Sequence, residues 1–193
     1  MAVTPNYGWP VPVATDYVKD GYAAIADLGD AIDATVFALP SGALALVKSQ
    51  VIGTAVSSVT VTDAFSATYD SYKIIVAGSG VASAGCNLQF TLGASAASYW
   101  SGYMTGNLNS NAAFWTGGRA ATTGQAFNME IHNPFIALPT TMQNSYINFD
   151  TAGQFGCIAG IHNVSTSYSA FTIAPSSGTL TGGTIYVYGY AKV

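Results

Sequence analysis

Gly178-Thr179-Leu180-Thr181-Gly182-Gly183-Thr184 followed by Ile185-Tyr186-Val187-Tyr188-Gly189-Tyr190-Ala191-Lys192-Val193 is a glycine-rich turn feeding an unbroken two-residue alternation. Strand side chains alternate faces, so Ile185, Val187, Ala191 and Val193 share one side and Tyr186, Tyr188, Tyr190 and Lys192 the other. One side is core. A tyrosine row left in water would form an apolar patch, so the other side is expected to pack on a second sheet or another subunit. The ending therefore points to a sandwich that assembles.

The same period recurs upstream. Candidate strands are Val51 to Val61, Tyr72 to Ala77, Asn87 to Leu92, Ser98 to Tyr103, Phe127 to His132, Ser145 to Asp150, Gly156 to His162, Ala170 to Ala174 and Thr184 to Lys192. In the clearest, Leu88, Phe90 and Leu92 face in while Asn87, Gln89 and Thr91 face out. Short strands separated by Gly, Ser and Asn turns, without helical crossovers, describe an antiparallel β-sandwich over residues 51–193.

The chain before it reads differently. Pro5, Pro10 and Pro12 fix φ and hold residues 1–13 extended, with Tyr7 and Trp9 between them. Such an arm suits docking into a partner's groove through Tyr7, Trp9, Pro10 and Pro12, a disordered leader being the alternative. Residues 14–36 then take a helical period. Thr15 or Asp16 can cap the start, and Val18, Tyr22, Ile25, Leu28, Ile32 and Val36 form one stripe. Gly21 and Gly29 weaken that helix by about 1 kcal/mol each relative to Ala. Its stripe needs a partner, either its own copies or the surface it anchors to. Residues 37–50, with Pro40 and Gly42, read as a linker.

Only 7% of the 193 residues are charged, against roughly 25% in ordinary domains. Residues 1–36 set Lys19 against Asp16, Asp20, Asp27, Asp30 and Asp33, which accounts for the whole formal charge of −4. The rest balances Lys48, Lys73, Arg119 and Lys192 against Asp63, Asp70, Glu130 and Asp150. Without a basic stripe, nucleic-acid binding lacks its driving force. The start has neither the cationic nor the apolar region of a signal peptide. Ala43 to Val47 is too short to span a bilayer, so no membrane insertion is expected. Cys86 and Cys157 are read as buried free thiols, although they could pair.

Candidate chemistry is sparse. Tyr72 to Gly85 imitates a dinucleotide-binding start, but Ser83 stands where the third glycine belongs and a strand follows instead of a helix. His132 and His162 sit in matching Ile-His-Asn tripeptides without a third metal ligand and read as outward strand ends. Glu130 and Asp150 are the one pair that a glycosidase reading could use, and they read as isolated surface acids. The chain is accordingly expected to be no enzyme and to need no cofactor. The aspartates around the helix's polar face lack a Ca²⁺-loop pattern and read as solvated. Asn163-Val164-Ser165 matches a glycosylation sequon, which carries little meaning without a signal peptide. Tyr99, Trp100, Tyr103, Phe114 and Trp115 flank the Asn-rich stretch Thr105 to Asn111. Rings and amides together suit glycan contact, through Tyr99, Trp100, Tyr103 and Trp115, and also suit a core edge or a subunit contact.

Asp63-Ala64-Phe65-Ser66-Ala67-Thr68-Tyr69-Asp70-Ser71-Tyr72-Lys73-Ile74-Ile75-Val76, together with the ending quoted above, resembles the β-sandwich region of tailed-bacteriophage tail fibre and minor tail proteins. Tyr7-Gly8-Trp9-Pro10-Val11-Pro12, followed by Asp16 to Gly21, is similar to the attachment segment of that family. The resemblance implies a virion protein assembled in the host cytoplasm, a homotrimer with a jelly-roll-like distal domain that meets the host. Its N-terminal arm would bind other virion proteins. It also implies that the stripe from Val18 to Val36 lies at the trimer axis or docking contact. No shaft repeat separates Val36 from the sandwich, which leaves a short tail fibre or, alternatively, a capsid decoration or head fibre. A carbohydrate-active enzyme and a free lectin-like module are the readings from other classes.

Overall fold

A computed structural model describes residues 2–13, 17–38, 43–81, 83, 85–103, 109–149 and 153–192. The protein is mainly β, with one α-helix. The chain divides into two compact units, residues 1–41 and residues 42–193.

In the first unit, β1 (Ala2–Val3) pairs antiparallel with β2 (Pro10–Val11). A 3₁₀ turn (Val18–Asp20) leads into α1 (Gly21–Ala38). The expected extended arm is thus extended only locally and folds back into a hairpin. The cause lies at its turn: Thr4 Oγ1 accepts from the Trp9 amide at 3.0 Å, the Thr4 amide donates to the Trp9 carbonyl, and Gly8 takes a positive φ of 68°. Trp9 Nε1 then donates to Thr35 Oγ1 of α1 at 2.9 Å.

The second unit is a sandwich of two antiparallel sheets. Its elements are β3 (Leu44–Val51), β4 (Val59–Val61), β5 (Ser71–Val81), β6 (Asn87–Leu92), β7 (Tyr99–Tyr103), β8 (Asn109–Ala112), β9 (Trp115–Arg119), β10 (Gln125–His132), β11 (Thr140–Asn148), β12 (Phe155–His162), β13 (Phe171–Pro175), β14 (Leu180–Thr181) and β15 (Thr184–Tyr190). The larger sheet runs β3-β15-β5-β10-β11-β12-β7-β8 with β14 added beside β5, and the smaller runs β4-β13-β6-β9. Leu44–Val51 corrects the expected linker, since most of that segment is an edge strand on β15. A register shift between Val187 and Tyr188 breaks the parity of β3, and for that reason its sequence does not alternate cleanly.

The core lies between the sheets. Tyr72, Ile74 and Val76 of β5, Met129 and Ile131 of β10, and Ile185 and Val187 of β15 meet Phe90 and Leu92 of β6 and Phe171 and Ile173 of β13. Phe90 and Phe171 stack at 4.8 Å, which adds a preferred ring geometry to simple burial. Buried hydroxyls are matched. Tyr72 donates to the Ser66 carbonyl at 2.9 Å and accepts from the Ser66 amide at 2.7 Å, avoiding the penalty of an unpaired buried polar atom. Tyr186, Tyr188 and Tyr190 alternate with the buried Ile185, Val187 and Gly189 and lie half-buried on the outer face of the larger sheet. The two-face reading of the final strand holds, and the smaller sheet packs on the face opposite the tyrosines.

Candidate functional site

β7 carries two adjacent aromatics that its alternation sends to opposite faces. Tyr99 goes inward, where its hydroxyl accepts from the Leu92 amide at 2.7 Å. Trp100, half-buried and in register with Ile161, stands on the outer face. Further along the strand, Ser101, Gly102 and Tyr103 line a cleft of about 240 Å³, together with Asn87, Ala112, Phe114, Thr116 and Ile158. Just before β7, Ser98, at a positive φ of 67°, has its amide held by Asn111 Oδ1 at 2.7 Å.

The cleft lining offers two aromatic rings, one amide and two aliphatic hydroxyls, and no charged side chain. Such a surface suits a neutral, hydroxyl-bearing ligand of about one ring, since ligand sites for larger molecules usually span roughly 300–1,000 Å³. Next to it, the Tyr146 hydroxyl is pushed up to about 12 by burial first and by its bond to Tyr103 second, with Arg119 opposing. The Tyr146 phenol therefore stays neutral near pH 7. Among the four expected glycan contacts, Tyr103 lines this cleft and is exposed. Tyr99 and Trp115 are fully buried and edge-to-face at 5.3 Å, so they support the site from below and cannot touch a ligand. Residues 104–108 lie outside the described residues. Asn87 and Thr116 escaped sequence reasoning because only the β6-β9 pairing brings them to the cleft.

The remaining candidates are spread apart. His132 lies on the outer face with Nδ1 2.9 Å from Ser71 Oγ. His162 corrects the expectation of an outward strand end, because it is fully buried. Its Nδ1 lies 3.2 Å from the Ser98 carbonyl, which can only accept, so Nδ1 carries the proton and Nε2 accepts from Tyr168 at 2.8 Å. Burial pushes His162 below its ordinary value, and the Ser98 carbonyl partly opposes the shift. On opposite faces of one sheet, the two histidines cannot share an ion. Among the described residues no three His, Cys, Asp or Glu side chains gather as a metal set.

Glu130 accepts from the Tyr190 hydroxyl at 2.6 Å, and Asp150 lies outside the described residues. Cys86 is buried as expected, whereas Cys157 is exposed, because β12 turns it to the outer face. Both are free. The dinucleotide-like stretch stays in β5 through Val81 and leads on to β6, leaving no helix N-terminus for a phosphate.

In the first unit, the docking candidates divide. Trp9 is tied to Thr35 and Pro10 is half-buried in the hairpin, while Tyr7, stacked on Trp9 at 5.2 Å, and Pro12 remain exposed. Along α1, Ala24 is the buried position among the described side chains. Within the expected stripe, Leu28 and Ile32 are half-buried, but Val18 is 97% exposed, Tyr22 86% and Ile25 67%, and Val36 is exposed as well. The hairpin satisfies a neighbouring face of the helix and leaves most of that stripe uncovered. No protein-family model matches the chain, and no curated protein matches it.

Proposed function

We propose that the chain is a non-enzymatic bacteriophage virion protein, a short trimeric tail fibre or minor tail protein used in host attachment. Its helix unit docks on other virion proteins and joins the copies, and its sandwich carries the glycan contact. The observation that carries the reading is the uncovered stripe of Val18, in the 3₁₀ turn, and Tyr22, Ile25 and Val36 of α1. A helix that opens on Gly21 and carries Gly29 inside gains little from propensity and takes its stability from packing an apolar face. Left in water, that face is the surface through which a helix joins its own copies or a docking partner.

The cleft supports the attachment half of the reading. Tyr103 and Phe114 supply rings for the apolar face of a sugar, and Asn87, Ser101 and Thr116 supply groups for its hydroxyls. Tyr99 and Trp115 drop out of that set. The test is particle association. Tyr22→Asp with Ile25→Asp changes two side chains already exposed in the single chain, so the fold should persist while the charges block the contact. Virions assembled with this variant should lack the protein; particles carrying it at the wild-type level would refute the docking role.

A further inference from the structure

We infer that the outer face of the larger sheet is buried against other copies of this same chain. The inference extends the oligomer reading above, because it places a second contact on the sandwich, separate from the helix stripe.

The face can be read row by row from the registers. One row crosses the sheet through Val51, Thr184 and Ala77 of β3, β15 and β5. It continues through Ala126, Ile147 and Phe155 of β10, β11 and β12. It contains no charge. Val51 is exposed, Ile147 is 47% exposed and Phe155 84%, although aromatic and branched side chains in strands ordinarily pack against something. A shallow groove of about 320 Å³ runs along this row between Ala77 and Ile147. Toward the opposite end of the strands the tyrosine row lies beside Leu44 and Leu46, which are also exposed.

Three properties favour a second copy as the occupant. The first is size: eight strands in line at about 4.8 Å spacing, each about 25 Å long, present roughly 800 Å² of face, close to the area each partner contributes to a stable interface. The second is charge. Lys73 and Glu130 face one another across β5 and β10, so the charge on this face is balanced and copies meet without net repulsion. The third is that antiparallel sheets bury apolar faces on one another without any further element, and three such faces can close around a three-fold axis, so a repeat of this sheet is the partner always present with it.

Cys157 provides the probe. It lies on β12 two residues from Phe155, on the same face, and is exposed and unpaired in the single chain. In the full-length wild-type protein at micromolar concentration, its thiol should react with a water-soluble thiol reagent at least ten-fold more slowly than in the denatured chain. Ile147→Asp with Phe155→Asp should lower the solution mass and restore fast labelling. A far-UV circular dichroism spectrum unchanged in its β signal shows that the variant still folds; should it fail to fold, Ile147→Ser with Phe155→Ser carries the same comparison. Tyr22→Asp with Ile25→Asp should leave Cys157 protected at concentrations where the sandwich contact persists. Wild-type mass in the Ile147/Phe155 variant would overturn the inference and leave the helix reading standing. Fast labelling in the wild type would also overturn it, and so would protection in a monomer, which would mean that the chain's own helix unit covers the face.

Discussion

Gly183→Ala should destabilise the sandwich far more than Gly182→Ala, although the two glycines are adjacent and both have positive φ, 82° and 71°. At Gly182, a methyl group would meet only the Gly78 carbonyl at 3.5 Å, an ordinary contact. At Gly183, it would lie 2.5 Å from the Ala77 carbonyl oxygen and 2.6 Å from the Ser79 nitrogen. Those atoms belong to β5, in the centre of the sheet, and cannot swing away as a side chain would. Left-handed backbone costs a non-glycine residue about 1–2 kcal/mol. That cost is shared by both variants, as is the small gain from a stiffer unfolded chain. Forcing a methyl into a closed site adds about 1–3 kcal/mol, so Gly183→Ala should lose roughly 2–4 kcal/mol in all and Gly182→Ala about 1. For a unit of this size each kcal/mol moves Tm by about 2–4 °C. Thermal melts followed by circular dichroism should therefore separate the two by roughly 2–12 °C. Equal melting temperatures would show that β5 yields around Gly78, whose φ is 74°, and that backbone contact at this turn does not seat the tyrosine strand.

Histidine burial predicts a pH effect. His162 has a lowered value in the folded state, so its contribution is fully present above the unfolded value near 6.5 and is lost as pH falls toward the folded one. Wild type should thus lose more Tm between pH 7 and pH 5 than His162→Gln, as followed by calorimetry, and parallel slopes would refute the assignment. Tyr103→Ala should weaken binding to the glycans that the wild type recognises on an array by about ten-fold, since one stacked ring is worth about 1 kcal/mol or more. Tyr99→Phe should lower Tm without changing the array pattern. Glu130→Gln should cost about 1 kcal/mol by weakening the bond from Tyr190 and leave host-surface glycan intact in a depolymerisation assay either way. If wild type degraded the glycan and the variant did not, the enzyme reading would replace the non-enzymatic one.

Where alternation is strict, the strands were legible in the sequence. β6 coincides with its expected bounds, and β10, β12, β13 and β15 do so within two residues, because each has one face in a single core. β3 was hidden by its register shift and by Pro40 and Gly42 just before it, which read as loop. β8 and β9 were hidden by their Asn and Gly content, whose strand preference is poor and is overridden by pairing. Parity explains the errors at the site. Tyr99 and Trp100 are neighbours on a strand and cannot share a face, so a four-ring glycan surface was unavailable from the outset. His132 and His162 looked equivalent from their tripeptides, yet one sits on the outer phase of β10 and the other on the inner phase of β12. The arm's hairpin depends on Thr4 capping the Trp9 amide and on a positive φ at Gly8, and three prolines masked that turn. Long-range pairings such as β6 with β9, which build the cleft, leave no local trace.

The central claim is that this chain works as an assembly of copies, and the mass of the full-length protein at micromolar concentration tests it most directly. Sedimentation equilibrium or light scattering should give three times the 19.8 kDa chain, unchanged on moderate dilution, as a closed oligomer with buried apolar faces requires. A stable species at 19.8 kDa, with the α1 stripe and the outer sheet face in water, would contradict the account.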